Sequence, residues 1–165
     1  MADIAEITLD ERSVVRRSAE IEHERAAAIQ DLLHDNRFAL ASGRAGPFRL
    51  RLAVEETRLQ IDVSSDGDAE TETITVPLAP FRRVVKDYFL VCESYMKTIR
   101  AGNLNQVEAI DMGRRGLHNE GAELLRDSLA DRVAIDRDTS RRLFTLICVL
   151  HIKGSSHGLG EHPRS

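Results

Sequence analysis

Apolar side chains along this chain recur with two different periods, and the switches between them mark the elements. Near the start, Ile4-Ala5-Glu6-Ile7-Thr8-Leu9 partly alternates and predicts a short strand. Ser18 is placed to cap a helix running to about Asn36, with Glu20, Glu22 and Glu24 in its first turns, where the helix dipole favours negative charge. Between Arg37 and Pro80 the period becomes two. Phe48, Leu50, Leu52 and Val54 fall on one face, Arg49 and Arg51 on the other. Glu55-Glu56-Thr57 separates that strand from Leu59, Ile61 and Val63, which predicts a hairpin, and Ser64 to Gly67 turns into a third run through Ile74 and Val76.

From Pro80, a residue suited to a first helical position, the spacing is that of an amphipathic helix to about Arg100. Its apolar stripe is Phe81, Val84, Val85, Tyr88, Cys92, Tyr95, Met96 and Ile99, opposite Arg82, Arg83, Lys86, Asp87, Glu93 and Lys97. Ala101-Gly102-Asn103 ends it. A further helix covers Leu104 to about Ala130, and Val133-Ala134-Ile135 separates it from a last helix starting near Asp138 or Thr139. There, Arg141 and Arg142 precede nearly unbroken apolar sequence from Leu143 to Ile152, which marks the centre of the fold or a subunit interface.

The predicted fold is therefore α+β. A small antiparallel sheet, made of the N-terminal strand and a meander within 37–78, packs on one side against about four helices in a single domain over 1–153. The Gly/Ser/His-rich tail, 154–165, is expected to be disordered.

Composition narrows the class. A chain of 165 residues with 42% apolar, 30% charged and only 4% aromatic side chains builds an aliphatic core without staples. Cys92 and Cys148 sit inside helical runs, without metal-ligand spacing, and are expected to serve as small buried hydrophobes. No stretch is apolar for long enough to cross a bilayer and no leader precedes the first strand, so the expected location is cytoplasmic. The segment 48–79 carries three Arg against seven Asp and Glu, whereas 80–153 carries thirteen basic against ten acidic side chains. That mild asymmetry is not the basic footprint of nucleic-acid binding, and no such partner is expected.

Four runs carry a resemblance: IEHERAAAIQDLL at 21–33, PFRRVVKDYFLVCESY at 80–95, IDMGRRGLHNEGAELL at 110–125 and RRLFTLICVLHI at 141–152. They resemble the bacterial uncharacterised protein family 0262, over roughly residues 4–153. The resemblance implies a bacterial cytosolic setting and brings no reaction, ligand or active site, so function rests on the residues themselves.

The chemical anomaly is charge on apolar helix faces. Glycines at 113, 116 and 121 suggest a phosphate loop, but the Lys-Ser/Thr of a P-loop is missing and no alternating parallel strands support a dinucleotide fold. If the helix is continuous, Val107, Ile110, Leu117, Leu124, Leu125 and Leu129 share one side, and Asp111, Arg114 and His118 fall among them, while Arg115 and Asn119 turn outward. If Gly113 and Gly116 instead break it, Arg114 and Arg115 lie in an anion-binding loop; alternatively the glycines admit a neighbouring helix. Arg25, four residues from both Ile21 and Ile29, is expected to face inward, and His23 to point away. An inward guanidinium keeps its charge and must meet a carboxylate, a carbonyl or a bound anion.

Two functional readings follow. In one, Asp111 or a Glu pairs with the arginines, and the protein is a non-enzymatic interaction or regulatory protein, homo-oligomeric through apolar helical surface, with Arg82, Arg83 and Lys86 a solvated face or a dock for an acidic protein partner. In the other, Arg25, Asp111, Arg114, Arg115, His118 and Asn119 form the site of a small-molecule-binding protein or a hydrolase acting on an anionic phosphate or carboxylate ligand. No nucleophile elbow or complete catalytic constellation is present, which leans against an enzyme. No cofactor is implied. Metal is not expected either, because Glu22-His23-Glu24 and His118-Asn119-Glu120 are neighbours that cannot share a helix face. Convergence of Arg25 and Arg114 on an open cavity would distinguish the two readings.

Overall fold

A computed structural model describes the backbone of residues 3–11, 19–66 and 68–160, with side chains except at 20, 68, 69 and 151–160. The elements are β1 (Ile4–Leu9), α1 (Ala19–His34), β2 (Phe38–Leu40), β3 (Phe48–Glu55), β4 (Arg58–Ser65), β5 (Asp68–Pro77), a 3-10 turn at Ala79–Phe81, α2 (Arg82–Arg100), α3 (Leu104–Leu129), β6 (Val133–Ile135) and α4 (Arg137–Gly160). The α+β class is as predicted. The expected Ser18 cap lies outside the described residues.

The meander β3-β4-β5 pairs antiparallel throughout, with Leu50 opposite Val63 and Leu52 opposite Ile61, so the period-two residues share one buried face. Only Glu56 and Thr57 connect β3 to β4, and Glu56 takes the left-handed conformation at φ 57°. In one respect the sheet departs from the expected antiparallel arrangement: β1 lies parallel to β3, with Leu9 opposite Leu52. The physical reason is the connection. The chain travels through α1 and β2 before reaching β3, a crossover long enough to bring the second strand in along the same direction. The four-stranded sheet is thus mixed, in the order β1-β3-β4-β5.

Asn36 fixes β1 to the end of α1. Its side chain is buried; Oδ1 accepts from the backbone N–H groups of Asp3 at 2.8 Å and Ile4 at 2.7 Å, and Nδ2 donates to the carbonyls of Leu32 at 2.8 Å and Ile4 at 3.1 Å. A second, two-stranded sheet was not foreseen. Phe38–Leu40, inside the region assigned to the meander, pairs instead with Val133–Ile135.

Apolar packing sets the helices. Leu143, Phe144 and Leu146 to Leu150 of α4 are all buried, so this run forms the centre of the fold, and Asp136 caps the helix by accepting from the Thr139 N–H at 2.9 Å. Helical backbone continues to Gly160, beyond the Gly154 boundary at which the tail was expected to begin. Helix α3 runs unbroken through Gly113 and Gly116, which removes the loop alternative. The close helix approach occurs at Gly121 instead, where an added Cβ would stand 2.2 Å from the Phe144 ring, while nothing lies within 4 Å at Gly116. The α2 stripe is buried at Val84, Val85 and Tyr88, but its far end opens out: Ile99 is 43% exposed, as are Leu90 and, on α3, Leu104 and Met112 to greater degrees.

Candidate functional site

An open cavity of about 450 Å³ lies between α1, α2, α3 and α4. Each wall follows from helical spacing. Residues at i, i+3 and i+4 share a face, which brings Arg114 and His118 of α3 together with Arg115 at the rim, and sets Asp138, Arg141, Arg142 and Thr145 of α4 opposite. Helix α1 presents His23, Glu24, Ala27, Ala28 and Asp31, and Tyr88 of α2 closes the floor. One side is therefore dominated by guanidinium groups, and the α1 side carries carboxylates.

His118 is the best-defined group in the site. Its Nε2 lies 2.8 Å from the Thr145 hydroxyl, which itself lies 3.2 Å from the Arg141 carbonyl. The ring is held at centroid distances of 5.4 Å from Tyr88 and 5.6 Å from Phe144, the latter edge-on. Burial, and then the positive charges of Arg141 and Arg114, push the imidazole pKa down to about 4. At neutral pH it is an uncharged hydrogen-bonding group. Burial raises the Tyr88 hydroxyl above its ordinary range, so it too stays neutral.

Arg114 is half-buried and paired. It donates to Asp111 through Nε at 3.1 Å and Nη2 at 2.5 Å, and lies 5.1 Å from the centroid of the Tyr95 ring. Asp111 also holds Arg115 at 2.7 Å, and the hydrogen bond from Arg114 keeps its carboxyl below the usual carboxylate range. The arginines of α4 are less occupied. Arg142 reaches the Asp138 carbonyl through Nη1 at 3.2 Å, but its Nε is buried without a hydrogen-bond partner among the described residues. Arg141 has Asp138 only at 3.9 Å.

Arg25 and Arg114 do not converge. Arg25 is off the cavity wall and binds Glu11, just past β1, through Nε at 3.1 and 3.2 Å to the two carboxylate oxygens and Nη2 at 2.6 Å. His23 is exposed, as expected, yet borders the open cavity, to which α1 also contributes Glu24, the buried Ala28 and the exposed Asp31. Of the predicted site residues, Arg114, Arg115 and His118 come together, Asp111 holds the two arginines from outside the wall, and Asn119 is exposed away from it. Arg141, Arg142 and Thr145 were missed. Their signal was the i, i+4 pair Arg141 and Thr145, with Asp138 one turn before, on a helix otherwise apolar. Tyr88, assigned to the core, is both core and cavity floor. Among the described residues no group of three or more metal-ligand side chains is close enough to hold an ion.

A family model described as an uncharacterised protein family, UPF0262, matches residues 1–153. The chain belongs to that family. Similar UPF0262 proteins occur in Rhodospirillum rubrum, 54% identical with 92% of this chain and 93% of the relative covered, and in Paramagnetospirillum magneticum, 52% identical with 92% and 96% covered. The UPF0262 protein of Rhizobium meliloti is 48% identical over 92% of this chain and 95% of its own length. No solved structure matches this member of UPF0262. The family name assigns no reaction, and the function of this UPF0262 chain is unknown. No described helix is long and apolar enough to cross a membrane.

Proposed function

We propose that the four-helix cavity binds a small molecule carrying a carboxylate or phosphate, and that the protein acts as a binding protein for it. The observation that carries this reading is Arg142. Its buried Nε has no partner among the described residues, beside Arg141, on the wall of an open cavity of about 450 Å³. The Nε is closed to solvent, so it is the outer nitrogens of Arg142, with those of Arg141, that are left to meet an entering oxyanion. Arg141 beside it supplies a second guanidinium, the one hydrogen of the Thr145 hydroxyl being committed to His118 or the Arg141 carbonyl, and the cavity lies within the size range of small-ligand sites. Neither cysteine is an activated nucleophile: burial lifts the Cys92 thiol to about 11 and raises the Cys148 thiol well above its ordinary value.

Thermal denaturation with inorganic phosphate and with simple carboxylates tests this. Both classes of anion, or one of them, raise the Tm of the wild type and leave that of Arg142→Gln unmoved. Equal shifts in the two proteins would remove the site. A separate reading, self-association, is favoured by Leu90, Ile99, Leu104 and Met112, exposed on the α2–α3 hairpin at 52, 43, 78 and 68%. Sedimentation at micromolar concentration addresses it, and a strict monomer ends it. The basic cluster on α2 supports a protein partner weakly, because Arg83 is occupied by Asp87 at 2.9 Å and by Glu120 of α3.

A further inference from the structure

The cationic cavity does not end at Tyr88. A second, apolar groove of about 200 Å³ lies beside it, lined by Ile21 of α1, by Phe89, Cys92, Tyr95 and Met96 of α2 and by Val149 of α4. Four residues, Glu24, Tyr88, Arg114 and Thr145, border both spaces. The two spaces therefore adjoin at those four side chains, the lining charged on one side of them and largely apolar on the other.

Neither half explains the other if the occupant is a simple inorganic anion. Phosphate fills the guanidinium end and leaves the half-exposed Phe89, Cys92, Tyr95 and Met96 facing water along the groove. A purely apolar molecule fills the groove and leaves Arg142 unpaired. An occupant that satisfies both has an oxyanion at one end and an apolar segment at the other. Building on the anion reading above, we propose that the ligand is a free amphipathic anion: a carboxylate or phosphate head among Arg141, Arg142 and His118, and an acyl or aryl tail in the groove.

Glu24 refines the chemistry. It lines both spaces, and a carboxylate between head and tail selects a donor at the linking atom, such as an amide N–H, an amine or a hydroxyl. The groove sets the tail length. At about 30 Å³ for each water-sized unit, its volume accommodates roughly six to eight carbons. The groove lies between α1, α2 and α4 and opens beside charged walls, a geometry suited to a dissolved molecule and not to a bilayer surface.

The N-acylglycines, from acetyl to decanoyl, provide the probe, since each has a carboxylate, an amide N–H and a tail of graded length. Calorimetric titration of the full chain is expected to show Kd falling roughly three- to fourfold per added methylene, with the gain ceasing near the octanoyl member. A second measurement uses the native Cys92: decanoylglycine slows its alkylation by iodoacetamide, and acetylglycine does not. Met96→Trp, which narrows the groove, flattens the chain-length series while the acetyl member binds as before; the alkylation measurement stands independently should that variant fold poorly.

Two failures are distinguishable. If acetylglycine or phosphate binds through Arg142 but affinity is independent of chain length and Cys92 is never protected, the amphipathic ligand is wrong and the anion site remains. If no acylglycine, phosphate or short carboxylate binds at all, the anion site itself is wrong and this inference falls with it. Sedimentation of the protein with phosphatidylglycerol vesicles, without protection by the free acylglycines, would likewise overturn a soluble ligand.

Discussion

Replacing Gly121 with alanine adds one methyl group at the tightest point between α3 and α4. Its Cβ would stand 2.2, 2.4 and 2.5 Å from three carbons of the Phe144 ring, so ring or helix must retreat by more than ~1 Å to restore contact distance. The ring has little room. Phe144 is fully buried, with Tyr88 at 6.1 Å and His118 at 5.6 Å between centroids, and any retreat disturbs the cavity floor. Overpacking of this kind costs about 3 kcal/mol, against a gain of about 1 kcal/mol from alanine's better helix propensity. The expected net loss is about 2 kcal/mol, or a Tm lower by roughly 4–8 °C for a chain of this size. Gly116→Ala is the internal control, because the same substitution on the same helix meets nothing within 4 Å. It is expected to stabilise by up to ~1 kcal/mol. Urea unfolding of both variants, with the m-value checked for constancy, makes the comparison. Two variants shifted alike would mean that the helix–helix contact is not where Phe144 and Gly121 place it.

Three further outcomes are expected. His118 has a folded pKa of about 4, below the ordinary 6.5, so the unfolded chain takes up its proton first as pH falls. Stability is then lost progressively through that window, by up to roughly 3 kcal/mol; a wild-type minus His118→Asn stability difference that does not change with pH would contradict this. Asn36→Ala strips partners from two N–H groups and two carbonyls at the β1–α1 junction, and urea unfolding should register a loss of about 3 kcal/mol; a loss under ~1 kcal/mol would show that water replaces the side chain. Arg25→Ala breaks a partly exposed pair with Glu11 and is expected to cost no more than about 1 kcal/mol while leaving any phosphate-induced Tm shift intact. Abolition of that shift would put Arg25 back in the site.

The meander was legible because alternation along Phe48, Leu50 and Leu52 encodes a buried face directly. Strand direction is not encoded there: Ile4, Ile7 and Leu9 would be buried equally well in either orientation, and only the route through α1 and β2 decides it. Short strands escape for a related reason. Phe38–Leu40 has three residues, and its stability comes from a partner far along the chain. On α3, the inward side was correctly found for Arg114 and His118, since a 26-residue helix averages out errors of phase. On α1 the spacing found the burial of Arg25 but not its neighbours. Its side chain is as covered as that of Arg114, each 27% exposed, yet it meets Glu11 beside β1 and not the cavity, because helical phase alone does not say which element packs on a given side. Arg141 and Arg142 were passed over because one polar turn before a long apolar run looks like a helix start.

The pairing of β2 with β6 also bears on how this protein is made. While the chain is still on the ribosome, Phe38–Leu40 has nothing to pair with, and the Arg37 N–H waits for a hydroxyl, that of Thr139, 102 residues later. At about 5–20 residues per second, that interval is roughly 5–20 s of synthesis. The meander can close long before then. Sealing of the N-terminal third, and with it the cavity that α1 and α4 share, is deferred until translation is nearly finished, so a nascent chain stalled before Val133 would present α1 and β2 to chaperones as unclaimed apolar surface.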